Sequence, residues 1–276
     1  MKSLPGLHYE FCALTDTGRV HANNEDAVAV HETARLVLLA DGMGGYNAGE
    51  VAASMAIGVV GSELAQWLEE APDRISMAAV RQALLACVDS ANQAILGAAQ
   101  ANAQYLGMGT TLVVGVFRGS RLVLGHIGDS RCYRLRGGQL RQITRDHSWL
   151  QEQIDLGVLT PAQAAASGLG NLVTRALGVD GEIHPEINEF PVEPQDLFIL
   201  CSDGLSDMVS DADLAELARL PIALPDKAER MVAMANAHGG RDNISVLLAQ
   251  AGPGPGGGVE TRGLVARLLR PRGARS

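Results

Sequence analysis

Aromatic residues are scarce in this 276-residue chain, at 4%. A core must therefore be assembled from Ala, Val, Leu and Ile rather than from large rings. Charged residues are also few, at 19%, while hydrophobic residues reach 47%, which excludes an intrinsically disordered chain. Positive charge is in deficit, with 22 Lys and Arg against 31 Asp and Glu and a formal net charge of −9. Such a surface repels nucleic acid and anionic membrane, so neither is expected as a partner of the whole chain. No apolar run approaches the ~18 residues of a membrane span. Met1–Phe11 contains Pro5, His8 and Glu10 and lacks the apolar run of a signal peptide, so the expected location is the cytoplasm. The four cysteines, Cys12, Cys87, Cys132 and Cys201, lie far apart with no C-x-x-C pair. That excludes a zinc ribbon or a thioredoxin-like site and reads as reduced, small hydrophobic residues.

What is present is a series of short apolar runs punctuated by Gly and Asp. Strands are expected over Tyr9–Leu14, Asp26–His31, Leu36–Ala40, Thr110–Phe117, Arg121–Ile127, Arg131–Leu135, Leu197–Ser202 and Ile244–Gln250. The turns Arg118-Gly119-Ser120 and Arg136-Gly137-Gly138 are short enough for hairpins, so much of the sheet should be antiparallel. Two long helices are expected between the third and fourth strands, over Ala48–Leu68 and Arg74–Ala101. In the second, Val80, Leu84, Val88, Ala91 and Ile95 recur every three or four residues along one face. Two further helical stretches, Ser148–Gly170 and Ser210–His238, interrupt the later strands. The run Gly252-Pro253-Gly254-Pro255-Gly256-Gly257-Gly258 reads as a flexible linker. Beyond it, Glu260–Ser276 holds five Arg and one Glu. Leu264, Val265, Leu268 and Leu269 share a helical face there, so this tail could dock on acidic lipid or on a partner, or stay solvated as most short basic tails do.

Acidic residues recur at strand ends. Leu36–Ala40 runs into Asp41, Arg121–Ile127 reaches Asp129 through Gly128, and Leu197–Ser202 ends at Asp203. Asp242 immediately precedes Ile244–Gln250, and Glu25-Asp26 open another strand. In an antiparallel stack one strand's end lies beside the next strand's start, so these carboxylates can converge on one rim. Asp and Gly at strand ends are individually ordinary turn residues. Several unpaired carboxylates at one spot, however, repel unless cations sit between them, and oxygen-only ligands select hard ions such as Mg²⁺ or Mn²⁺ over zinc.

Nine segments occur in a characteristic order: Thr15-Asp16-Thr17-Gly18, Asn24-Glu25-Asp26, Ala40-Asp41-Gly42-Met43-Gly44-Gly45, Gly109-Thr110-Thr111, Gly128-Asp129-Ser130-Arg131, Asp146-His147-Ser148, Thr174-Arg175-Ala176-Leu177-Gly178, Ser202-Asp203-Gly204-Leu205 and Arg241-Asp242-Asn243-Ile244-Ser245. Over residues 9–250 or so the chain resembles the bacterial branch of the type 2C serine/threonine phosphatases. The resemblance implies a four-layer α-β-β-α sandwich, two antiparallel sheets flanked by helices, in a domain spanning residues 1–251 with a flap over about 148–170 and a linker and basic tail over 252–276. It implies hydrolysis of phosphoserine and phosphothreonine in proteins by a water activated at two Mn²⁺ or Mg²⁺ ions, and a Ser/Thr kinase and its targets as partners of a monomeric enzyme. By the same resemblance Asp41 bridges two metals. The Gly42 carbonyl completes one of them, with Glu25 reaching it through water, and Asp203 and Asp242 hold the other. Asp26 hydrogen-bonds the nucleophilic water, Asp129 with Asp203 resembles the pair that binds a weaker third metal, and Gly44 lies against the substrate.

The chain departs from the family pattern in four places, one of them Tyr46, where bacterial members tend to have His after the double Gly. The family's phosphate-gripping Arg, three residues before the Asn of Asn-Glu-Asp, is His21 here, and Arg19 is two residues off; both a phosphate-binding and a purely structural reading of His21 stand. Met43 replaces the His that eukaryotic members carry as a proposed general acid. Before Thr174, Ser167-Gly168-Leu169-Gly170-Asn171 replaces a stretch that often holds His-Pro and Arg. Two rival readings are weaker. Gly42, Gly44 and Gly49 miss the G-x-G-x-x-G spacing of a dinucleotide site. A binding module with the same fold and lost catalysis is opposed by the intact acidic positions.

Overall fold

The computed structural model describes residues 7–45, 48–72, 75–167 and 172–254. The Gly/Pro run from residue 255 onward, the basic segment after it and the last part of the expected flap lie outside the described residues. Within them, β3 (Leu36–Met43) shows how the layers arise. Leu36, Leu38 and Ala40 face a helical layer, while Val37 and Leu39 face a second sheet. A strand buried on both faces has no polar alternation, which is why Leu36–Ala40 reads as an uninterrupted apolar run.

One sheet has the order β2 (Asp26–His31), β3, β5 (Leu112–Arg118), β6 (Arg121–Ile127), β9 (Glu186–Pro191), and the short β4 (Gly109–Thr110) pairs with β3. The other has the order β1 (His8–Asp16), β11 (Ile244–Gly252), β10 (Leu197–Cys201), β7 (Arg131–Arg136), β8 (Gln139–Gln142). Every pairing is antiparallel. Between the sheets, Phe117 packs against Tyr9, Phe11 and Phe198, with ring centroids 4.8, 5.7 and 5.5 Å away. Half of the chain's four Phe and four Tyr thus meet in one cluster, and aliphatic side chains fill the rest of that layer.

The outer layers are helical. α1 (Ala48–Glu70) and α2 (Met77–Ala101) cover the first sheet. Ala48, Ala52, Ala53 and Ala56 are fully buried there, and such small side chains let α1 lie close on the strands. By length and composition α1 could cross a membrane, but this alanine face is packed on the sheet, which identifies it as a core helix. α5 (Asp203–Ser206), α6 (Asp211–Arg219) and α7 (Leu224–Ala237) cover the second sheet. The expected four-layer sandwich is therefore the observed fold. α3 (Trp149–Asp155) and α4 (Pro161–Ala166) occupy the expected flap and are capped by Ser148 and Thr160.

Three local expectations are corrected. β8 and β9 were not anticipated, because Gln139–Gln142 and Glu186–Pro191 are edge strands with exposed polar positions and no apolar run. The second long helix starts at Met77, where Ser76 caps it by accepting the Ala79 N–H. The expected strand Thr110–Phe117 is broken at Thr111, whose backbone N–H donates instead to the Asp41 carbonyl at 2.9 Å.

Candidate active site

The two sheets bring the ends of β2, β3, β10 and β11 to one rim. Asp26 opens β2 and lies directly opposite Asp41 of β3 in the strand register. Asp129 follows Gly128, which leaves β6 with φ of 102°. Asp203 begins α5 just after β10, and Asp242 precedes β11 by one residue. An open cleft of about 530 Å³ is lined by Glu25, Asp41, Gly42, Asp129, Asp203 and Asp242. His21, Met43, Gly44 and Leu172 also border it, and among the described residues no Lys or Arg does. Asp26 sits beneath. All of the sequence-predicted site residues therefore meet at one place.

A dense network of neutral donors fixes the acids. Asp41 donates its N–H to Thr111 Oγ1 at 3.0 Å, and its carbonyl accepts from Thr110 Oγ1 and the Thr111 N–H, each at 2.9 Å. Thr111 Oγ1 is joined in turn to Ser130 Oγ at 2.8 Å, beside Asp129. Ser202 Oγ donates to Asp26 Oδ2 at 2.8 Å and accepts the Ser245 N–H at 2.9 Å. Asn243 Oδ1 accepts the Glu25 N–H at 2.7 Å, while its amide donates to the carbonyls of Thr17 and Asn23 at 2.9 Å each. A Cβ on Gly49 would collide with Glu25 Oε2 and the Gly42 carbonyl, so only glycine lets the first turn of α1 close over these two groups. Thr110, Thr111, Ser130, Ser202, Asn243 and Ser245 stand within the sequence motifs, where nothing but their place marks them. Their signal was position, each next to a carboxylate in sequence or one strand away.

His147 ties the Asp129 turn to the flap. Its Nδ1 accepts the Gly128 N–H at 3.1 Å, its own N–H donates to the Gly128 carbonyl at 2.9 Å, and its carbonyl accepts the Thr174 N–H at 2.8 Å. Burial, with His126 and Arg175 adding to it, pushes the His147 pKa down to about 3, so the ring is a neutral acceptor. His126, His147 and Glu186 bring potential ligand atoms within 4.8 Å of one another. They do not suit a metal. An Nδ1 that accepts leaves the proton on Nε2, and the two rings stack 14° from parallel at 4.8 Å, so one ion cannot lie in both ring planes.

The electrostatics of the cleft are dominated by repulsion. Asp41 is held well above the ordinary carboxylate range by burial and by the charges of Asp26, Asp203, Asp129 and Asp242. Burial pushes Asp26 up to about 7, against hydrogen bonds from Ser245 and Ser202 that favour its charge. Burial and Asp203 push Asp129 up to about 7. Glu25 is raised by burial, partly offset by His21. Arg131, two residues from Asp129, gives its guanidinium to Asp146 in bonds of 2.7 to 3.1 Å. Two buried acid oxygens, Asp26 Oδ1 and Asp129 Oδ2, have no hydrogen-bond partner. Unpartnered carboxylate oxygens, a donor set made of oxygen alone and no cationic lining are what hard divalent cations require.

The protein phosphatase 2C family profile matches residues 17–249. The chain is 35% identical over 247 residues to the serine/threonine phosphatase stp of Listeria innocua, covering 88% of this chain and 96% of that protein. It is 41% identical over 243 residues to the serine/threonine protein phosphatase PstP of Mycobacterium tuberculosis, covering 88% of this chain and 45% of PstP. A crystal structure of the PstP catalytic domain in complex with two manganese ions superposes with a TM-score of 0.78 at 39% identity, covering 89% of this chain and 99% of that one.

The raised carboxyl pKa values set a pH dependence. A carboxyl whose folded pKa lies above its unfolded value stabilises the fold at low pH and loses that contribution as pH rises. Asp26, Asp41 and Asp129 therefore make the metal-free protein less stable from about pH 4 to about pH 7, and His147, with its lowered pKa, opposes them with the effect of one group. In chelator, Tm should fall between pH 5 and 7.5, more steeply in the wild type than in Asp41→Asn, and saturating Mn²⁺ should raise Tm most at the upper end. A metal-free Tm that climbs over this range, with the same gain from Mn²⁺ at each pH, would contradict the charge assignment.

Proposed function

Because this chain belongs to the protein phosphatase 2C family of metal-dependent serine/threonine phosphoprotein phosphatases, we propose that its cleft hydrolyses phosphoserine and phosphothreonine at a two-cation centre in which Asp41 is the shared ligand. The observation that carries this reading is the convergence of Glu25, Asp41, Asp129, Asp203 and Asp242 on a cleft without a cationic lining residue. Two divalent cations, Mn²⁺ or Mg²⁺, supply an acidified water and positive charge for the phosphoryl oxygens when bound. Asp41 would hold both, with the Gly42 carbonyl and Glu25 on one side and Asp203 with Asp242 on the other. Asp129, with Asp203, would offer a separate and weaker third position.

The remaining chemistry falls to the chain's own groups. Asp26 is fixed through Oδ2 by Ser202, which leaves Oδ1 to accept a hydrogen bond from the attacking water. No covalent nucleophile is needed. The hydroxyls of Ser202 and Ser130 are engaged in the network, and Cys87, Cys132 and Cys201 are buried away from the cleft. Gly44 borders the cleft on the substrate side. His21 lines it too, with Nε2 3.6 Å from Asp242 Oδ1, whereas Arg19 is not among the lining residues. His21 is thus the nearest stand-in for the family's phosphate-gripping Arg. The cellular role that fits is reversal of phosphorylation by a Ser/Thr kinase.

Purified protein should hydrolyse p-nitrophenyl phosphate and a phosphothreonine peptide with Mn²⁺ or Mg²⁺ and stop in EDTA, and Asp41→Asn should lower kcat by roughly a hundredfold or more. Full activity in excess chelator, or a trapped phosphoenzyme, would overturn the reading. Replacing His21 by Arg should add a bidentate, permanently charged contact to phosphate. KM should fall about 5- to 30-fold, equivalent to roughly 1–2 kcal/mol, with little change in kcat. An unchanged KM in His21→Arg would assign His21 a structural role only.

A further inference from the structure

Exposed apolar side chains flank the cleft. Among the described residues Val20, Leu172 and Val179 are 58 to 69% exposed. Isolated exposed apolar residues need no explanation, but these three lie at or next to the cleft. Leu172 lines it directly, and Val20 precedes the lining residue His21. A Cβ built on Gly109 would lie 3.1 Å from Val179 Cγ2 and 3.6 Å from Cγ of Met43, itself a lining residue, so Val179 and Met43 flank the same point of the rim.

Arg145 is paired with Asp155, and Arg19 and Arg175 are exposed near the rim, but among the described residues no Lys or Arg lines the cleft beside Leu172 and Met43. An aliphatic side chain beside the phosphate would cover Leu172, Met43 and Val179 and remove apolar surface from water.

Resting on the phosphatase reading above, we propose that this rim selects phosphoserine and phosphothreonine segments that carry a bulky aliphatic side chain within one or two residues of the phosphorylated position. Continuity with the phosphoryl-binding cleft makes the substrate's own flanking residues the occupant. The test uses three phosphothreonine peptides differing only in those flanking positions, occupied by Leu, Ser or Asp, with the full-length protein at saturating Mn²⁺. kcat/KM should be highest for the Leu peptide, roughly tenfold above the Ser and Asp peptides, the ratio expected for burial of one to two methylene groups. In Leu172→Arg and, separately, Val179→Arg, the Leu-to-Asp ratio should move to parity or reverse. The ratio within each variant corrects for any general loss of activity. Equal kcat/KM for the three peptides, or a preference for Asp, would overturn the proposal while p-nitrophenyl phosphate hydrolysis left the catalytic reading standing. Inactivity on every substrate with metal present would overturn that reading and this inference with it.

Discussion

Mutual repulsion among half-buried carboxylates is the constraint around which this fold is organised. Asp41 feels Asp26, Asp129, Asp203 and Asp242 at once, and no lysine or arginine in the cleft relieves them. A protein selected for stability alone would replace such a cluster by apolar groups or pair it with cationic side chains. Here the cluster is kept, which leaves it to divalent cations and makes their binding part of what stabilises the folded state.

The sandwich copes with the repulsion by holding the acids rigidly without neutralising them. Hydroxyls and amides do this work. Thr110, Thr111 and Ser130 fix the Asp41 and Asp129 backbones, Ser202 and Ser245 fix Asp26, and Asn243 bridges the Glu25 turn to residues 17 and 23. A neutral hydrogen bond of this kind is worth about 1 kcal/mol, and the network leaves Asp26 Oδ1 and Asp129 Oδ2 uncommitted. The two sheets supply the frame. Because their antiparallel strands end at a common rim, four chain segments far apart in sequence meet within one cleft, and His147 extends the same hydrogen bonding to the root of the flap.

Much of this was legible in the sequence, for reasons that can be named. Strands buried on both faces leave long apolar runs, so Leu36–Ala40 and Ile244–Gln250 stand out, and an acid at the end of such a run marks a rim. The two long helices were visible from the spacing of Val80, Leu84, Val88 and Ile95. Edge strands β8 and β9 were not visible, because an edge can be polar and gains its pairing from a neighbour distant in sequence. The break at Thr111 was hidden for a related reason. Local propensity favours continuing the strand, and only the tertiary contact with Asp41 ends it. The network of Ser, Thr and Asn around the acids carries no composition signal at all and emerges only once the strands are in register. His21 remained open in the sequence. The structure places it in the cleft beside Asp242.

The central claim is that the carboxylates centred on Asp41 hold a pair of divalent cations. The most direct measurement is an anomalous-scattering map from crystals of this protein grown with Mn²⁺. The account predicts two strong peaks that share the Asp41 carboxylate, one beside the Gly42 carbonyl and the other beside Asp203 and Asp242, with any weaker third peak at Asp129. A single peak away from Asp41, or manganese found instead between His126, His147 and Glu186, would contradict it.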